Sequence, residues 1–265
     1  MSIQPRLNLT ERQAQIAEMV RQHDFVTVDR LAARFQVTTQ TIRRDLTLLC
    51  DAGIAQRRHG GVQRLNIPGN VAYHFRQILN SEAKGRIARQ VAHRIPNGVS
   101  LAVSIGTTPE MVAKALIHHE RLRIFTNNLH VAMLACSNPT FEVTVAGGRL
   151  RNEDRDVMGT GMEALFRAYK VDIGIFGVAG VDEDGTLLDF YEEEVRARQI
   201  ILAHSRRSFL VLDHTKFGRP AHVRGGRIQD AAAVFCDQPP PDSIAALLAQ
   251  SGAELVVCTQ EGVNA

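Results

Sequence analysis

Three short amphipathic helices are predicted in the first quarter of the chain. Thr10 and Gln13 have the spacing of a capping box, and the apolar residues after them recur at helical intervals, so a first helix is expected over about residues 10–22. Thr27 is placed to cap a second helix, which the polar turn at 36–38 ends. A third helix begins directly after this turn. Two short helices joined by a three-residue turn form a helix-turn-helix.

The third helix carries a face that can read DNA. Ile42, Leu46 and Leu49 recur at i, i+4 and i+7, which marks them as the buried stripe and leaves polar side chains on the opposite face. Glutamine can bridge adenine and arginine can bridge guanine in the major groove, and the first turn of a recognition helix is the part that reaches the bases. The residues expected to contact bases are Thr39, Gln40, Thr41, Arg43 and Arg44. The alternative is that Arg44 and Asp45 only form surface ion pairs.

A basic hairpin is predicted behind this helix. Two short extended runs flank the Gly60-Gly61 pair, which is a turn signal. Basic side chains surround the turn, so the hairpin is expected to lie against DNA as a wing and to bind phosphate, which positions the protein without reading sequence. The residues expected in these contacts are Arg57, Arg58 and His59.

The remainder of the chain alternates short apolar runs with helical patterns. Residues 65–80 show little periodicity and are interpreted as a linker between a DNA-binding domain over 9–64 and a second domain over 81–260. Strands are predicted at 100–104, 123–126, 142–146, 173–178, 209–212, 232–235 and 254–257. Helices are predicted at 81–95, 109–118, 129–136, 161–168, 193–205 and 243–251. This alternation indicates an α/β domain with a mostly parallel sheet that helices cover on both faces.

Small and polar residues follow five of the predicted strands. Parallel sheets bind ligands beyond the carboxyl ends of their strands, and all five segments would share that edge. The segment Gly106-Thr107-Thr108 also opens a helix, where free N–H groups and two hydroxyls suit an anion such as phosphate. Each segment alone is compatible with an ordinary turn, but five on one edge favour a ligand cleft. The residues expected to line it are Ser104, Gly106, Thr107, Thr108, Asn127, Asn128, Gly147, Gly148, Gly180, Glu194, Asp213 and Lys216.

Charge is distributed unevenly between the two parts of the chain. Residues 1–65 carry ten arginines and six acids, whereas the other 200 residues carry 21 basic and 22 acidic side chains. A basic domain on a near-neutral body favours a polyanionic partner, although a solvated basic surface would have the same composition. The 45% of hydrophobic residues rules out a disordered chain, and no apolar run approaches the roughly 18 residues of a membrane span. Because residues 1–10 lack a secretory apolar core, the cytosol is the expected compartment.

No metal or cofactor is expected. None of the four cysteines, at positions 50, 136, 236 and 258, belongs to a C-x-x-C pair, and the sequence contains no H-E-x-x-H motif. Residues 159–164 match G-x-G-x-x-A, but the charged segment before them does not predict the strand that a dinucleotide site requires.

Several of these motifs resemble those of one bacterial family. The sequence Thr41-Ile42-Arg43-Arg44-Asp45-Leu46, together with Arg58-His59-Gly60-Gly61, looks like the N-terminal signature of DeoR-type transcriptional regulators. The body resembles the sensor domain of that family, which is similar in fold to sugar-phosphate isomerases. The matching segments of the body are 105–110, 126–129, 146–148, 194–196 and 213–219. The chain departs from the family at Ser104, where an aspartate is common.

The resemblance implies a winged helix-turn-helix that binds double-stranded operator DNA. It also implies a sensor domain that binds a phosphorylated small molecule, with glycerol 3-phosphate as the leading candidate. Because such operators are usually two-fold symmetric, a homo-oligomer, either a dimer or a tetramer, is expected.

The competing hypothesis is a sugar-phosphate isomerase or deaminase with an attached DNA-binding domain. The acid–base groups available for such chemistry are Asp182, Asp184, Asp213, His214 and Lys216. No nucleophile with its base stands out among them, and an enzyme is not needed to explain the basic helix-turn-helix. The sequence therefore favours a regulator without enzymatic activity.

Overall fold

The computed structural model describes residues 10–23, 25–51, 55–64 and 73–259. The chain divides into two compact units between Leu79 and Asn80, and each unit has its own hydrophobic core. Among the described residues, no helix combines the length and the apolar character that a membrane crossing needs.

The described residues of the first unit form a helix-turn-helix with a small antiparallel sheet. In chain order its elements are α1 (Glu11–Gln22), β1 (Phe25–Thr27), α2 (Val28–Phe35), α3 (Thr39–Asp51), β2 (Ala55–Arg58), β3 (Gly61–Arg64) and α4 (Tyr73–Ile78). The three predicted helices and the β2–β3 hairpin are confirmed, and Thr10 and Gln13 form the predicted capping box. Strand β3 also pairs with β1, so the link before α2 is the third strand of the wing.

The core of the first unit is built on the predicted stripe of α3. Ile42, Leu46 and Leu49 are at most 2% exposed, and they belong to one cluster with Ile16 of α1 and Leu31 of α2. Because these apolar residues occupy one side of α3, the polar side of the helix faces outward.

The second unit is an α/β domain, as predicted. Its strands are β4 (Ser100–Val103), β5 (Arg123–Thr126), β6 (Glu142–Val145), β7 (Arg149–Arg151), β8 (Asp156–Met158), β9 (Val171–Phe176), β10 (Gly180–Val181), β11 (Thr186–Asp189), β12 (Ser205–Val211), β13 (Val223–Arg227), β14 (Ala233–Cys236) and β15 (Glu254–Val257). Its helices are α5 (Ser81–His93), α6 (Thr107–Ala115), α7 (Leu129–Ala135), α8 (Thr160–Ala168), α9 (Glu192–His204) and α10 (Asp242–Ser251).

Seven strands form the main sheet, in the order β15-β14-β12-β9-β4-β5-β6, and each neighbouring pair is parallel. Leu101 and Val103 face a core that includes α5, α6 and α7, whereas Ala102 faces a core that includes α8, α9 and α10. Strand β4 is therefore buried on both faces, which agrees with its central position in the sheet, whereas the edge strands β6 and β15 are partly exposed. Since all seven strands run the same way, the five polar segments predicted at strand ends lie along one edge of the sheet.

Some elements lie outside the sequence prediction. The charged segment before residue 159 forms the antiparallel hairpin β7–β8, and β10, β11 and β13 form a second small sheet. Within the predicted linker, Tyr73–Ile78 forms α4, while 65–72 lie outside the described residues. These elements are two to six residues long, which is too short to show a helical or strand period in the sequence.

A buried carboxylate joins α1 to α3 in the first unit. Asp45 is 4% exposed, and its two oxygens accept hydrogen bonds from Arg12 Nε and Gln13 Nε2, both at 2.7 Å. Gln13 Oε1 accepts from the N–H of Thr10 at 2.9 Å, so one side chain caps α1 and holds α3. The alternative of surface ion pairs at Arg44 and Asp45 is therefore wrong: Asp45 pairs with Arg12 but is buried, and Arg44 has no ionic partner among the described residues.

We expect Asp45→Ala to loosen the packing of α1 on α3. The change leaves the buried amide of Gln13 without its acceptor, which costs about 2 kcal/mol of stability. Hydrogen exchange of peptides from α1 and α3 should accelerate by at least about tenfold, since 1.4 kcal/mol corresponds to a factor of ten. Asp29→Ala, an exposed acid on α2, is the control and should leave exchange unchanged. Equal exchange in both variants would contradict the role of Asp45.

Candidate DNA interface and effector site

The outward face of α3 presents the residues predicted to contact bases. Thr39, Gln40, Arg43 and Arg44 are exposed, and Thr41 is half-buried. Thr38 Oγ1 accepts from the N–H of Thr41 at 3.2 Å, which satisfies one of the free donors at the start of the helix. Within the described ranges, the side chains of Gln40, Arg43 and Arg44 have no hydrogen-bond or ionic partner. Their polar groups therefore remain available to a ligand in front of the helix.

The tip of the β2–β3 hairpin presents Arg58 and His59, which are both exposed. Arg58 Nε donates to Gln63 Oε1 at 2.8 Å, and Gln63 Nε2 donates to Gln56 Oε1 at 3.1 Å. This row of side chains holds the guanidinium of Arg58 through its Nε. Its two terminal nitrogens stay accessible, as a phosphate contact requires.

Arg57 is directed toward the recognition helix. Its Nη2 donates to the carbonyl of Arg43 at 3.3 Å and to the hydroxyl of Thr47. The hydroxyl of Thr47 in turn donates to the carbonyl of Arg43 at 2.8 Å. Arg57 therefore connects the wing to α3, an arrangement different from the phosphate contact that its position in a basic hairpin predicts.

In the second unit, the first turn of α6 collects unused hydrogen-bonding groups. Ser104, Thr107 and Thr108 are at most 6% exposed, and none of their hydroxyls has a hydrogen-bond partner in the described part of the chain. The N–H groups of Thr107 and Thr108 open the helix, so no carbonyl within it can accept from them. Gly106 at the N-cap offers no side-chain acceptor. Hydroxyls and helix N-terminal N–H groups that converge in this way suit a phosphate.

The end of β12 lies beside this turn. A Cβ at Gly177, the residue after β9, would stand 3.5 Å from both Pro109 of α6 and the carbonyl oxygen of Val211. Asp213 follows β12, and its Oδ1 accepts from Asn80 Nδ2 at 2.8 Å and from the N–H of Thr215 at 3.1 Å. The predicted segments 104–108 and 213–216 are therefore neighbours at the sheet edge.

Two lysines set the electrostatics of this corner. Burial alone would raise the pKa of Asp213, but the charges of Lys216 and Lys84 and the hydrogen bonds from Thr215 lower it. Asp213 is therefore held in its ionised form between the two lysines. Lys84, which is 3% exposed, is absent from the sequence prediction. The sequence does indicate that Lys84 is buried, because it lies on the apolar stripe of α5 with Ile87 and Val91 at i+3 and i+7.

Asn127 and Asn128 use part of their amides within the protein. Asn128 Oδ1 accepts from the N–H groups of His130 at 2.9 Å and Val131 at 3.3 Å, and so caps α7. Asn127 Nδ2 donates to the carbonyl of Val157 at 3.1 Å, which attaches the β7–β8 hairpin to the end of β5. Of the atoms of these two amides, Asn127 Oδ1 and Asn128 Nδ2 lack partners among the described residues, and both atoms are buried.

The predicted glycines lie where two backbone segments approach each other closely. A Cβ on Gly161 of α8 would overlap the carbonyl oxygen of Gly147, and one on Gly180 would overlap the carbonyl oxygen of Arg219. Gly148, with φ 147°, lies against the carbonyl of Met158. These positions let the loops at the strand ends lie directly on neighbouring elements.

Glu194 belongs to a charged cluster around Arg151. Arg151 Nη2 donates to Glu194 Oε1 and Asp156 Oδ2, both at 2.8 Å, and lies 3.1 Å from Asp154. Glu194 Oε2 accepts from the N–H of Phe190 at 3.3 Å. Both oxygens of Glu194 are thus held by the protein. Arg151 escapes sequence reasoning because Glu194 lies 43 positions away along the chain.

The buried position of Glu194 leaves it partly protonated near neutral pH, although Arg151 opposes this effect. Burial, and after it the negative charge of Asp189, raises the pKa of Glu194 to about 7. Asp189 itself pairs with the buried guanidinium of Arg198, and burial raises its pKa as well.

The acid–base groups considered for an enzyme do not assemble into a catalytic site. His214 Nδ1 lies 2.8 Å from Asp237 Oδ2, whereas Asp182 and Asp184 lie in the turn between β10 and β11. Asp184 pairs there with Arg227 at 3.2 Å. No group of three His, Cys, Asp or Glu suited to a metal occurs in the described ranges. Strand β8 does precede the 159–164 motif, but it pairs antiparallel with β7, whereas a dinucleotide site needs a parallel βαβ unit.

Comparison with known proteins extends across nearly the whole chain. Residues 12–67 match the family model described as a DeoR-like helix-turn-helix domain, and residues 79–238 match the DeoR C terminal sensor domain. The glycerol-3-phosphate regulon repressor of Escherichia coli (strain K12) is 42% identical over 94% of this chain and 99% of its own length. The HTH-type transcriptional repressor CsqR of the same organism is 35% identical over 95% of this chain and 98% of its own. A ribose-5-phosphate isomerase in complex with phospho-erythronic acid aligns with a TM-score of 0.39 at 14% identity, over 52% of this chain and 54% of that one, a similarity too low to support an argument.

We expect Arg57→Ala and Arg58→Ala to weaken DNA binding in different ways. Arg58→Ala should weaken operator and random DNA alike and lower the salt slope by about one, because it removes a phosphate contact. Arg57→Ala should weaken operator binding by about 1 kcal/mol with an unchanged salt slope, because it frees the wing from α3. The measurement is a binding titration at several salt concentrations on an operator selected from random duplexes.

Thr47→Val is the matched control for Arg57, since it removes the same hydrogen bond without changing charge. If Arg57 acts through α3, the double variant Arg57→Ala/Thr47→Val should be no weaker than either single variant. Additive losses together with a lower salt slope for Arg57→Ala would instead identify Arg57 as a phosphate contact.

We expect Glu194 to make stability fall as pH rises from about 4.5 to 7. The pKa of Glu194 is higher in the folded than in the unfolded state, so the folded state binds more protons than the unfolded state in that window. Protonation of Glu194 therefore stabilises the folded protein at low pH, and this stabilisation is lost as pH rises to about 7. Glu194→Gln should flatten the profile by roughly 3 kcal/mol, since one pKa unit is worth about 1.4 kcal/mol. Scanning calorimetry between pH 4.5 and 8 measures this, with exposed Glu192→Gln as the control. A difference from wild type that stays constant with pH would show that Glu194 is ionised throughout.

Proposed function

The chain belongs to the DeoR family, and we propose that it is a transcriptional repressor that a phosphorylated small molecule releases from its operator. In this proposal α3 reads the major groove and the β2–β3 hairpin contacts the phosphate backbone. The operator is two-fold symmetric, so the working form is a homo-oligomer, a dimer or a tetramer.

DNA binding is supported by the groups that the first unit leaves available. The guanidinium groups of Arg43 and Arg44 and the amide of Gln40 have no partner among the described residues, and they occupy the first turns of the helix after the helix-turn-helix bend. These are the side chains that can form paired hydrogen bonds with guanine and adenine. The excess of arginine over acidic residues in the same unit supplies the attraction to phosphate.

The observation that carries the effector proposal is the group of three hydroxyls without partners at the start of α6. The residues that carry them are nearly buried, and two free N–H groups of the helix start lie beside them, an arrangement that favours a bound oxyanion. Lys216 and Lys84, whose charges act on Asp213, lie near the neighbouring strand end and would attract the same ligand. We infer that the phosphate binds at Ser104, Thr107 and Thr108.

Glycerol 3-phosphate is the proposed effector. Two relatives at 40% and 42% identity are named glycerol-3-phosphate regulon repressors, which makes this metabolite the first to test. The remainder of the ligand would extend along the sheet edge toward the other predicted residues. Asn127 Oδ1 and Asn128 Nδ2 supply an acceptor and a donor there.

A regulator explains the chain better than an isomerase or deaminase. The two relatives described above match nearly the whole chain and are named repressors. The groups considered for acid–base chemistry are engaged in turns and pairs. To release DNA, the effector must bind the DNA-free arrangement more tightly than the DNA-bound one, because a ligand shifts an equilibrium only by its difference in affinity.

We expect Thr107→Val and Lys216→Ala to bind the operator like wild type but to resist release. Thr107→Val removes one hydroxyl of the phosphate site at nearly constant volume, and Lys216→Ala removes one of the two positive charges near Asp213. Each should raise the glycerol 3-phosphate concentration for half-release by about tenfold or more, since a hydrogen bond to a charged group is worth about 1.5–3 kcal/mol. The measurement is operator binding against ligand concentration.

Lys114→Ala, an exposed lysine at the other end of α6, is the matched control and should respond like wild type. Release of both site variants at the wild-type concentration would show that the phosphate binds elsewhere. A wild type that ignores glycerol 3-phosphate but responds to another sugar phosphate would keep the site and reject the ligand. Conversion of any of these compounds into product by the protein would support the enzyme instead.

A further inference from the structure

Strand β6 leaves one side of its backbone without a partner at the edge of the main sheet. The N–H groups of Glu142 and Ala146 donate to carbonyls of the β5 side, those of Leu122 and Thr126, both at 2.9 Å. Successive residues of a strand point their N–H and C=O groups to opposite sides, so those of Val143 and Val145 face away from β5. Among the described strands only β5 pairs with β6.

Exposed apolar side chains gather at this edge. Val145 is 38% exposed, and Met133 of α7, the helix that packs beside β5 and β6, is 76% exposed. The opposite edge strand, β15, differs from β6 in this respect. Its first residue, Glu254, pairs with Arg94 and lies 3.8 Å from Arg207, and none of its described apolar residues is exposed. Charged pairs of this kind protect an edge, whereas an exposed valine does not.

We propose that β6 pairs antiparallel with β6 of a second copy of this chain, so that two main sheets join into one across a two-fold axis. The strand is self-complementary in one register, with the axis at Thr144. Val143 of each copy then faces Val145 of the other, and these are the residues with outward N–H and C=O groups. With the axis at Thr144, four backbone hydrogen bonds join the two copies of β6. With the axis one residue to either side, only two would form.

The side chains agree with this register. Thr144 faces its own counterpart, a cross-strand pair that stabilises antiparallel sheets. Glu142 faces Ala146 of the second copy, so the two carboxylates lie at opposite ends of the seam and do not repel. Val145 becomes covered by Val143. Because the two-fold axis relates identical surfaces, the contact closes as a dimer and does not propagate.

This inference goes beyond the proposed function, because it assigns the surface that joins the subunits and uses neither operator nor effector. Position 144 on the axis gives a direct geometric test. The two Cα atoms of a directly opposed, non-hydrogen-bonded pair lie about 4.5 Å apart, within the range of a disulfide. The two copies of position 142 would lie roughly 14 Å apart, four strand residues along, and cannot be bridged.

The experiment compares Thr144→Cys with Glu142→Cys in full-length protein. Both carry Cys136→Ser, which removes the exposed native cysteine, and both are oxidised mildly with copper phenanthroline. Thr144→Cys should become mostly disulfide-linked dimer on non-reducing gels, and Glu142→Cys should stay uncrosslinked. Failure of Thr144→Cys to crosslink, or equal crosslinking of both variants, would overturn the proposal.

A second measurement does not depend on cysteines. Val145→Lys places a charge opposite Val143 of the other copy and should raise the dissociation constant of this association step by about tenfold or more in sedimentation equilibrium. Leu150→Lys changes a residue of similar exposure, 42%, on strand β7 and should leave association unchanged. A wild type that is monomeric at micromolar concentration, or unchanged association of Val145→Lys, would overturn the proposal while leaving the effector experiments valid.

Discussion

The uniform direction of the seven strands is the constraint on which the second unit depends. A parallel strand cannot return through a tight turn, so each connection crosses a face of the sheet, and helices cover both faces. Apolar residues then fill both sides of the central strands, as Leu101, Ala102 and Val103 do in β4. Polar side chains are therefore placed at the ends of the strands, and the carboxyl ends of all seven strands lie at one edge of the sheet. The hydroxyls after β4 and the charged residues after β12 become neighbours for this reason, although more than 100 residues separate them.

The sequence predicts those parts of the fold that repeat over several residues. The stripe Ile42, Leu46 and Leu49 identifies α3, and short segments rich in apolar residues locate all seven strands of the main sheet, but not their order. The sequence does not predict the β7–β8 hairpin by this reasoning. Its two strands are three residues long each, and three of the six residues in them are charged. What stabilises the hairpin is an ion-pair cluster around Arg151 that reaches Glu194 on a different element.

The candidate sites likewise contain residues that the sequence predicts and residues that it does not. The first turn of α6 can be found from the sequence, because its hydroxyls and N–H groups are consecutive in the chain. Lys84 acts on Asp213 from 129 positions away, and no local pattern connects them. Asn128 shows a different ambiguity. An asparagine after a strand fits a ligand site and equally fits the N-cap of the next helix, and its hydrogen bonds to His130 and Val131 show only that its Oδ1 serves as the cap.

All cationic side chains of the DNA-reading unit's first 65 residues, histidine aside, are arginines, and the first lysine of the chain is Lys84. A guanidinium stays charged at every physiological pH, and enzymes that acetylate lysine do not neutralise it. Lysine acylation therefore cannot reduce the positive charge of these side chains. In the proposed repressor, control over occupancy of the operator then lies with the second unit or with the amount of protein made.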